Sequence, residues 1–171
     1  YEIGVRLVGS EMCIETDKIY RRTGNSSKWV NIATVSGSNT LVYTDGSVKS
    51  GTMYTYTVRA YKGSALSAYN KNGSRIVRLT APVQYKPSSK ASGKLTVRWK
   101  KAAGASGYQI QYAASRSMRG SRTVSASALT RTLSGLKKGS TYYVRIRAYK
   151  KVSGKTYYGA WSSVKNAKVR K

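Results

Sequence analysis

LKKGSTYYVRIRAY, residues 136–149, is the stretch whose reading decides the fold. A turn signal, Lys138-Gly139-Ser140, is followed by strict alternation. Tyr142, Val144, Ile146 and Ala148 fall on one face of a strand, and Tyr143, Arg145, Arg147 and Tyr149 on the other. A close copy, VKSGTMYTYTVRAY, occupies residues 48–61. There Tyr54, Tyr56, Val58 and Ala60 take the inward register. Gly51 matches Gly139, Tyr54 matches Tyr142 and Ala60 matches Ala148, all at an offset of 88. Repetition at that spacing predicts two similar domains in tandem.

Working outward, turn clusters separate short alternating runs in both halves. Ile3, Val5 and Leu7 alternate at the start. Trp29, Ile32 and Val35 mark a strand between the clusters at residues 23–27 and 36–39. Leu41, Tyr43 and Asp45 alternate before an Asp45-Gly46 turn. Pro82 and Pro87, the only prolines, fit a linker or edge strand, which puts the domain boundary between residues 80 and 81. Beyond it Leu95, Val97 and Trp99 point inward, and Tyr108, Ile110 and Tyr112 form the next strand. Residues 115–122 read as a basic loop or edge strand, and a final strand runs from about Tyr157 through Trp161 to Val169. About seven short strands per domain, with turns every eight to twelve residues, predict an all-β chain of two tandem antiparallel β-sandwiches, 1–80 and 81–171.

Charge is the unusual number. The 171 residues hold 32 Lys and Arg against 5 acids, a net charge of +27. Every acid lies in the first 45 residues. Residues 1–80 carry 11 basic residues and 5 acids, net +6; residues 81–171 carry 21 basic residues and no acid. A domain without a carboxylate side chain leaves its cations to counterions or to an anionic partner. A solvated, highly soluble surface and a polyanion-binding surface are the two readings. Cys13 is the only cysteine and there is no histidine, which excludes an internal disulfide and makes a zinc site implausible. No apolar run is long enough to span a membrane.

The pattern resembles the fibronectin type III family. The resemblance rests on Trp99, on Tyr108-Gln109-Ile110-Gln111-Tyr112, and on Leu136, Gly139, Tyr142, Val144, Ile146 and Ala148. It covers residues 81–171 and roughly 17–80, where Gly51 and Tyr54 repeat Gly139 and Tyr142. It implies that Tyr54 and Tyr142 are tyrosine-corner residues, bonding back to nearby backbone. The Lys-, Ser- and Tyr-rich style looks like repeats in large surface or secreted proteins of Gram-positive bacteria. The first domain departs from the family pattern. Matching Ile19 to Ile110, at an offset of 91, places Val8 where Trp99 stands. The offset of 88 starts the first domain seven to ten residues before Tyr1, so its first strand is expected to be missing. The exposed edge then needs cover from an upstream domain or a partner.

No catalytic constellation emerges. General acid–base work needs His or a pair of carboxylates with separated pKa values, and residues 81–171 contain neither. Glu11, Glu15 and Asp17 read as a solvent-exposed turn. No cofactor or metal is implied. The binding candidates are Tyr143, Arg145, Arg147 and Tyr149, with Gln109 and Gln111 from the neighbouring strand. Lys150 and Lys151 carry the charge into a following loop, residues 150–155. Basic groups interleaved with aromatics suit sulfated, phosphorylated or nucleic-acid polymers, while the same residues also serve simply as good strand formers whose stems cover a sheet. Trp29 and Trp161 read as packing residues at sheet edges. The function expected is a non-catalytic extracellular or cell-surface spacer, part of a larger parent chain. It associates by charge with anionic cell-wall polymers or acidic glycans. A specific adhesin that binds a host surface protein or glycan is the rival, and a nucleic-acid binder, lacking a helix for the major groove, the third.

Overall fold

The computed structural model describes residues 2–4, 16–36 and 42–171, which contain strands and no helix. Two compact units divide the chain, Tyr1–Arg78 and Leu79–Lys171. In the first unit the strands are β1 (Glu2–Gly4), β2 (Thr16–Thr23), β3 (Val30–Ser36), β4 (Val42–Thr44), β5 (Met53–Lys62), β6 (Ala65–Leu66) and β7 (Ser74–Val77). One antiparallel sheet has the order β3-β2-β5-β6, with β7 also on β5; β1 and β4 pair separately.

The second unit repeats this plan with β8 (Leu95–Arg98), β9 (Gly107–Ala113), β10 (Arg122–Ala126), β11 (Thr130–Leu133), β12 (Thr141–Val152), β13 (Lys155–Tyr158) and β14 (Lys165–Lys168). Its larger sheet has the order β10-β9-β12-β13, with β14 also on β12, and β8 pairs with β11. Bridges Gln84–Trp99 and Ser88–Thr96 add an extra segment beside β8. The fold is an all-β sandwich built from antiparallel sheets.

Alternation explains the second core. Leu95, Val97 and Trp99 face Tyr108, Ile110, Tyr112, Val144, Ile146 and Ala148, all buried, with Leu133, Leu136 and Val169 closing the ends. Trp99 meets Tyr108 edge to face at 5.3 Å between centroids, a geometry that favours aromatic pairs beyond their burial. Among the described residues of the first unit, Ile19, Met53, Tyr54, Tyr56 and Val77 are buried and Val58 and Ala60 only half-buried, while Thr55 and Thr57, on the opposite register, are buried too.

Both units make the same turn into the long strand. Thr52 N–H donates to Lys49 O (3.3 Å) and Ser140 N–H to Lys137 O (3.3 Å). Gly51 (φ 81°) and Gly139 (φ 74°) hold the left-handed position at which such a turn requires φ > 0. Each turn is then tied by a tyrosine. The Lys49 N–H donates to Tyr54 Oη at 2.9 Å, and the Lys137 N–H to Tyr142 Oη at 3.2 Å.

Several expectations need correction. Residues 150–155 are not a loop: β12 continues to Val152 and turns into β13 over Ser153 (φ 47°) and Gly154 (φ 77°). Two successive residues at positive φ make the tight hairpin turn that matches strand twist. Lys150 and Lys151 therefore stand in the ladder, opposite Tyr157 and Thr156. The final strand is not continuous, because pairing slips between Tyr158 and Lys165. Asp17 is not in an exposed turn; it lies within β2, half-buried. Val8, Cys13, Glu11 and Glu15 lie outside the described residues.

Candidate functional site

The outer face of the β10-β9-β12-β13 sheet carries the candidate site. Cross-strand register brings Gln111 opposite Arg145 and Gln109 opposite Arg147. Each arginine donates its Nε–H to the glutamine facing it: Arg145 to Gln111 Oε1 at 2.7 Å, and Arg147 to Gln109 Oε1 at 2.8 Å. Gln111 passes the chain on, its Nε2 donating to Ser121 Oγ at 2.7 Å. The guanidinium planes are thereby fixed through Nε alone. Among the described residues, the Nη groups of neither arginine make a hydrogen bond.

Aromatic rings hold the other side of the stack. The Arg145 and Arg147 guanidiniums lie 4.7 and 4.4 Å from the Trp161 centroid, and Arg147 lies 4.0 Å from that of Tyr158. Tyr158 in turn meets Tyr149 edge-on at 6.1 Å. Such cation–π contacts contribute about 0.5–1 kcal/mol each at exposed sites. Burial pulls Arg147 below the ordinary guanidinium value; the nearby Arg145 charge adds to this and Tyr158 opposes it. The second unit has no carboxylate side chain to relieve that repulsion.

Trp161 reaches this face because the chain bulges. Gly159 N–H bonds Ala148 O, and Ser162 N–H bonds Ile146 O. Three residue steps on one side thus span two on the other. A bulge of one extra residue re-aims a side chain, and here it turns Trp161 onto the arginines. Ser162 locks it: its Oγ accepts from Ile146 N–H at 3.0 Å and donates to buried Gln84 Oε1 at 3.0 Å.

Of the residues expected at the site, Gln109, Gln111, Arg145, Arg147 and Tyr149 come together. Tyr149 also lies over Gly107, where a Cβ would come within 2.5 Å of its Oη. Tyr143 is half-buried between Ala113 and Asn166 in the ladder, outside the stack. Lys151 is exposed, its backbone N–H bonded to Ser106 Oγ at 3.1 Å, and Lys150 is half-buried. The sequence reading missed Tyr158 and Ser121, and placed Trp161 at a sheet edge. The slip of register that turns Trp161 is a pairing property whose one mark in residue types is Gly159.

The first unit has a related stack of different make-up. Arg59, the counterpart of Arg147, lies 5.0 Å from the Tyr69 centroid, and Arg22 lies 4.8 Å from that of Trp29. Trp29 and Tyr69 meet edge to face at 6.2 Å. Each of these arginines gives one donor to backbone, Arg59 its Nε–H to Ser67 O (2.8 Å) and Arg22 an Nη–H to Asn72 O (3.4 Å). The counterpart of Arg145 is Thr57, buried and bonded to Asn70 O.

Two carboxylates of the first unit, Asp45 and Asp17, sit in contrasting surroundings. Asp45 is 2 % exposed. Its Oδ2 accepts from Arg21 Nη1 (2.6 Å) and Tyr56 Oη (2.8 Å), and its Oδ1 from the Ser47 N–H and hydroxyl. Burial would raise it, but those hydrogen bonds outweigh burial and hold it at about 2. A fully satisfied carboxylate pinned there has no proton to trade near neutrality. Asp17 is pushed up by burial, with Oδ1 unpartnered. Among the described residues no cluster of acidic or sulfur ligands could hold a metal ion.

The Fibronectin type III domain model matches residues 80–164. No curated protein matches the sequence. Among solved structures, a chain of a cytokine receptor complex is 16% identical, with 91% of each chain covered and a TM-score of 0.60. The FN1–FN3 domains of chicken CNTN1 are 20% identical with a TM-score of 0.45; the match covers 91% of this chain, which spans 56% of that one. A chain described as FN3tt mut is 17% identical over 53% of this chain and 94% of its own, with a TM-score of 0.43.

Proposed function

We propose that this chain, whose residues 80–164 form a fibronectin type III domain, is a non-catalytic extracellular spacer that associates by charge with anionic polymers of a bacterial cell envelope. Domains of this type are typically structural or binding modules and commonly extracellular. The reading takes the first unit as a second, tandem copy. The repeated turn and corner, Gly51 with Tyr54 and Gly139 with Tyr142, support this, as does the shared strand order.

The observation that carries the polyanion reading is the charge of the second unit, 21 basic residues without one acidic side chain over residues 81–171. Cations with no internal partner hold a counterion atmosphere, and release of those ions on meeting a polymer drives association. No helix is long and apolar enough to cross a membrane among the described residues. Titration with isolated wall polymer, heparin, DNA and host glycoproteins at two salt concentrations tests the reading. Polyanion affinity is expected to fall linearly in log–log form, by about 0.7–0.9 per phosphate neutralised. Saturable binding to one glycoprotein that withstands high salt would replace it with the adhesin reading.

A further inference from the structure

We propose that Arg145 and Arg147 form a two-step ladder for a linear phosphodiester polymer of uncharged polyol units, taking one phosphate on each guanidinium with the polymer laid along β12. This rests on the polyanion reading above and specifies its ligand.

Three observations carry it. First, the pair is more than the sheet requires. In the first unit a single arginine, Arg59, covers the matching ring, and the position two residues earlier is a buried threonine, Thr57. The second unit places a second guanidinium there. Both lie within 4.7 Å of one ring centroid, with no carboxylate side chain in the unit to compensate. Second, the donors are set. Gln109 and Gln111 consume each Nε and fix each plane, leaving the Nη edges without a protein acceptor among the described residues. A guanidinium edge presents two parallel donors, which match the two non-bridging oxygens of a phosphodiester. Groups already immobilised lose less entropy on binding.

Third, the spacing and the rings select the polymer. Residues i and i+2 on one face of a strand stand about 7 Å apart. Six single bonds separate successive phosphorus atoms across a three-carbon bridge. Three backbone bonds span about 3.8 Å, so such a repeat reaches about 7 Å when near extended. Single-stranded nucleic acid has a comparable phosphate spacing, but its binders offer open aromatic faces for bases to stack on. Here guanidiniums lie over Trp161 and Tyr158, and Tyr149 meets the edge of Tyr158. The aromatic groups are used in holding the arginines.

The test is calorimetric titration of the whole chain with a synthetic glycerol-phosphate oligomer. Oligodeoxythymidylate of equal charge and heparin serve as the other arms. The glycerol-phosphate oligomer is expected to bind at least tenfold tighter than the thymidylate at the same salt. Replacing both arginines by lysine, R145K with R147K, keeps the net charge and removes the forks; affinity should fall about tenfold. Arg59→Lys should leave it unchanged. A double variant that binds as wild type, with the salt dependence intact, overturns the ladder while the charge-driven reading stands. Absence of binding to any polyanion at low salt overturns both. Tighter binding of thymidylate or heparin than of glycerol phosphate overturns the polymer class. Nitrogen-detected NMR of arginine side chains in the unmutated chain guards against misfolded variants. Saturation should shift Arg145 and Arg147, and shifts confined to other basic residues would overturn the site.

Discussion

At the scale of single residues, Asp45 separates the two units most sharply. It occupies the place, 88 positions earlier, that buried Leu133 fills in the second unit. Its carboxyl is held at about 2 against an unfolded value of about 3.9. A depressed acid stabilises the fold at pH above about 4, and the stabilisation drains away as pH falls through 2. A shift of that size corresponds to about 2–3 kcal/mol. Asp17, raised by burial, works in the opposite sense and softens the loss. The second unit has no acidic side chain and should show almost no acid transition. Amide NMR spectra of the whole chain from pH 5 to pH 2 should therefore lose first-unit signals first. Asp45→Asn should destabilise the first unit at pH 7 and flatten that dependence. Simultaneous loss of both units would count against the account. The tyrosine corners give a second comparison. Tyr54 is buried with a 2.9 Å bond, whereas Tyr142 is half-buried with a 3.2 Å bond. Losing a hydrogen bond costs more where water cannot replace it. Tyr54→Phe should cost about 1–2 kcal/mol and Tyr142→Phe less than about 1, read from urea melts.

At the scale of elements, both long strands were legible as strands, but the alternation of faces holds in β12 and not in β5, where Met53 to Thr57 are all buried. Val144, Ile146 and Ala148 read as inward and are fully buried. What the residues did not reveal is how the chain returns after β13. Gly159 hints at an irregularity but does not say which way the register shifts, and pairing slips there so that Trp161 turns outward. Register depends on partners distant in sequence, here Ile146 and Gln84, through Ser162. Asp45 was opaque for a related reason. Asp-Gly is a strong turn signal, and the donors that make burial tolerable, Arg21 and Tyr56, lie on other strands. The bulge makes its own prediction. At Gly159 a Cβ would stand 2.8 Å from both Leu79 Cβ and Leu79 O. Backbone cannot yield as a flexible side-chain tip does, so Gly159→Ala should cost about 1–3 kcal/mol. At Gly139 the added atom meets only Lys171, at 3.7 Å, and the cost is conformational, about 1 kcal/mol. Gly159→Ala should also shift Trp161 fluorescence, which Gly139→Ala should not.

On the scale of the whole molecule, charge is divided between two units that share one plan. Residues 1–80 carry +6 and residues 81–171 carry +21. Like charges on a compact body repel, and unfolding lets them separate. Within a Debye length of about 10 Å at 0.1 M salt, that repulsion is felt across much of a small domain's face. Raising ionic strength should therefore stabilise the second unit more than the first, where Asp45 and Arg21 already form an ion pair that salt weakens. Trp99 and Trp161 report on one unit and Trp29 on the other, so Trp29→Phe in the full chain isolates the second unit's melt. Its urea midpoint should rise between 0.02 and about 0.5 M sodium chloride. It should rise further in sulfate at matched ionic strength, because a divalent oxyanion suits the guanidinium edges better than chloride does. If the anion effect acts through the Arg145–Arg147 pair, exchanging both for lysine should lower both curves, through the lost ring contacts, and narrow the gap between sulfate and chloride. A sulfate advantage that survives the exchange in full would take the effect away from the pair and leave it to the general cationic surface or to sulfate's exclusion from the protein surface.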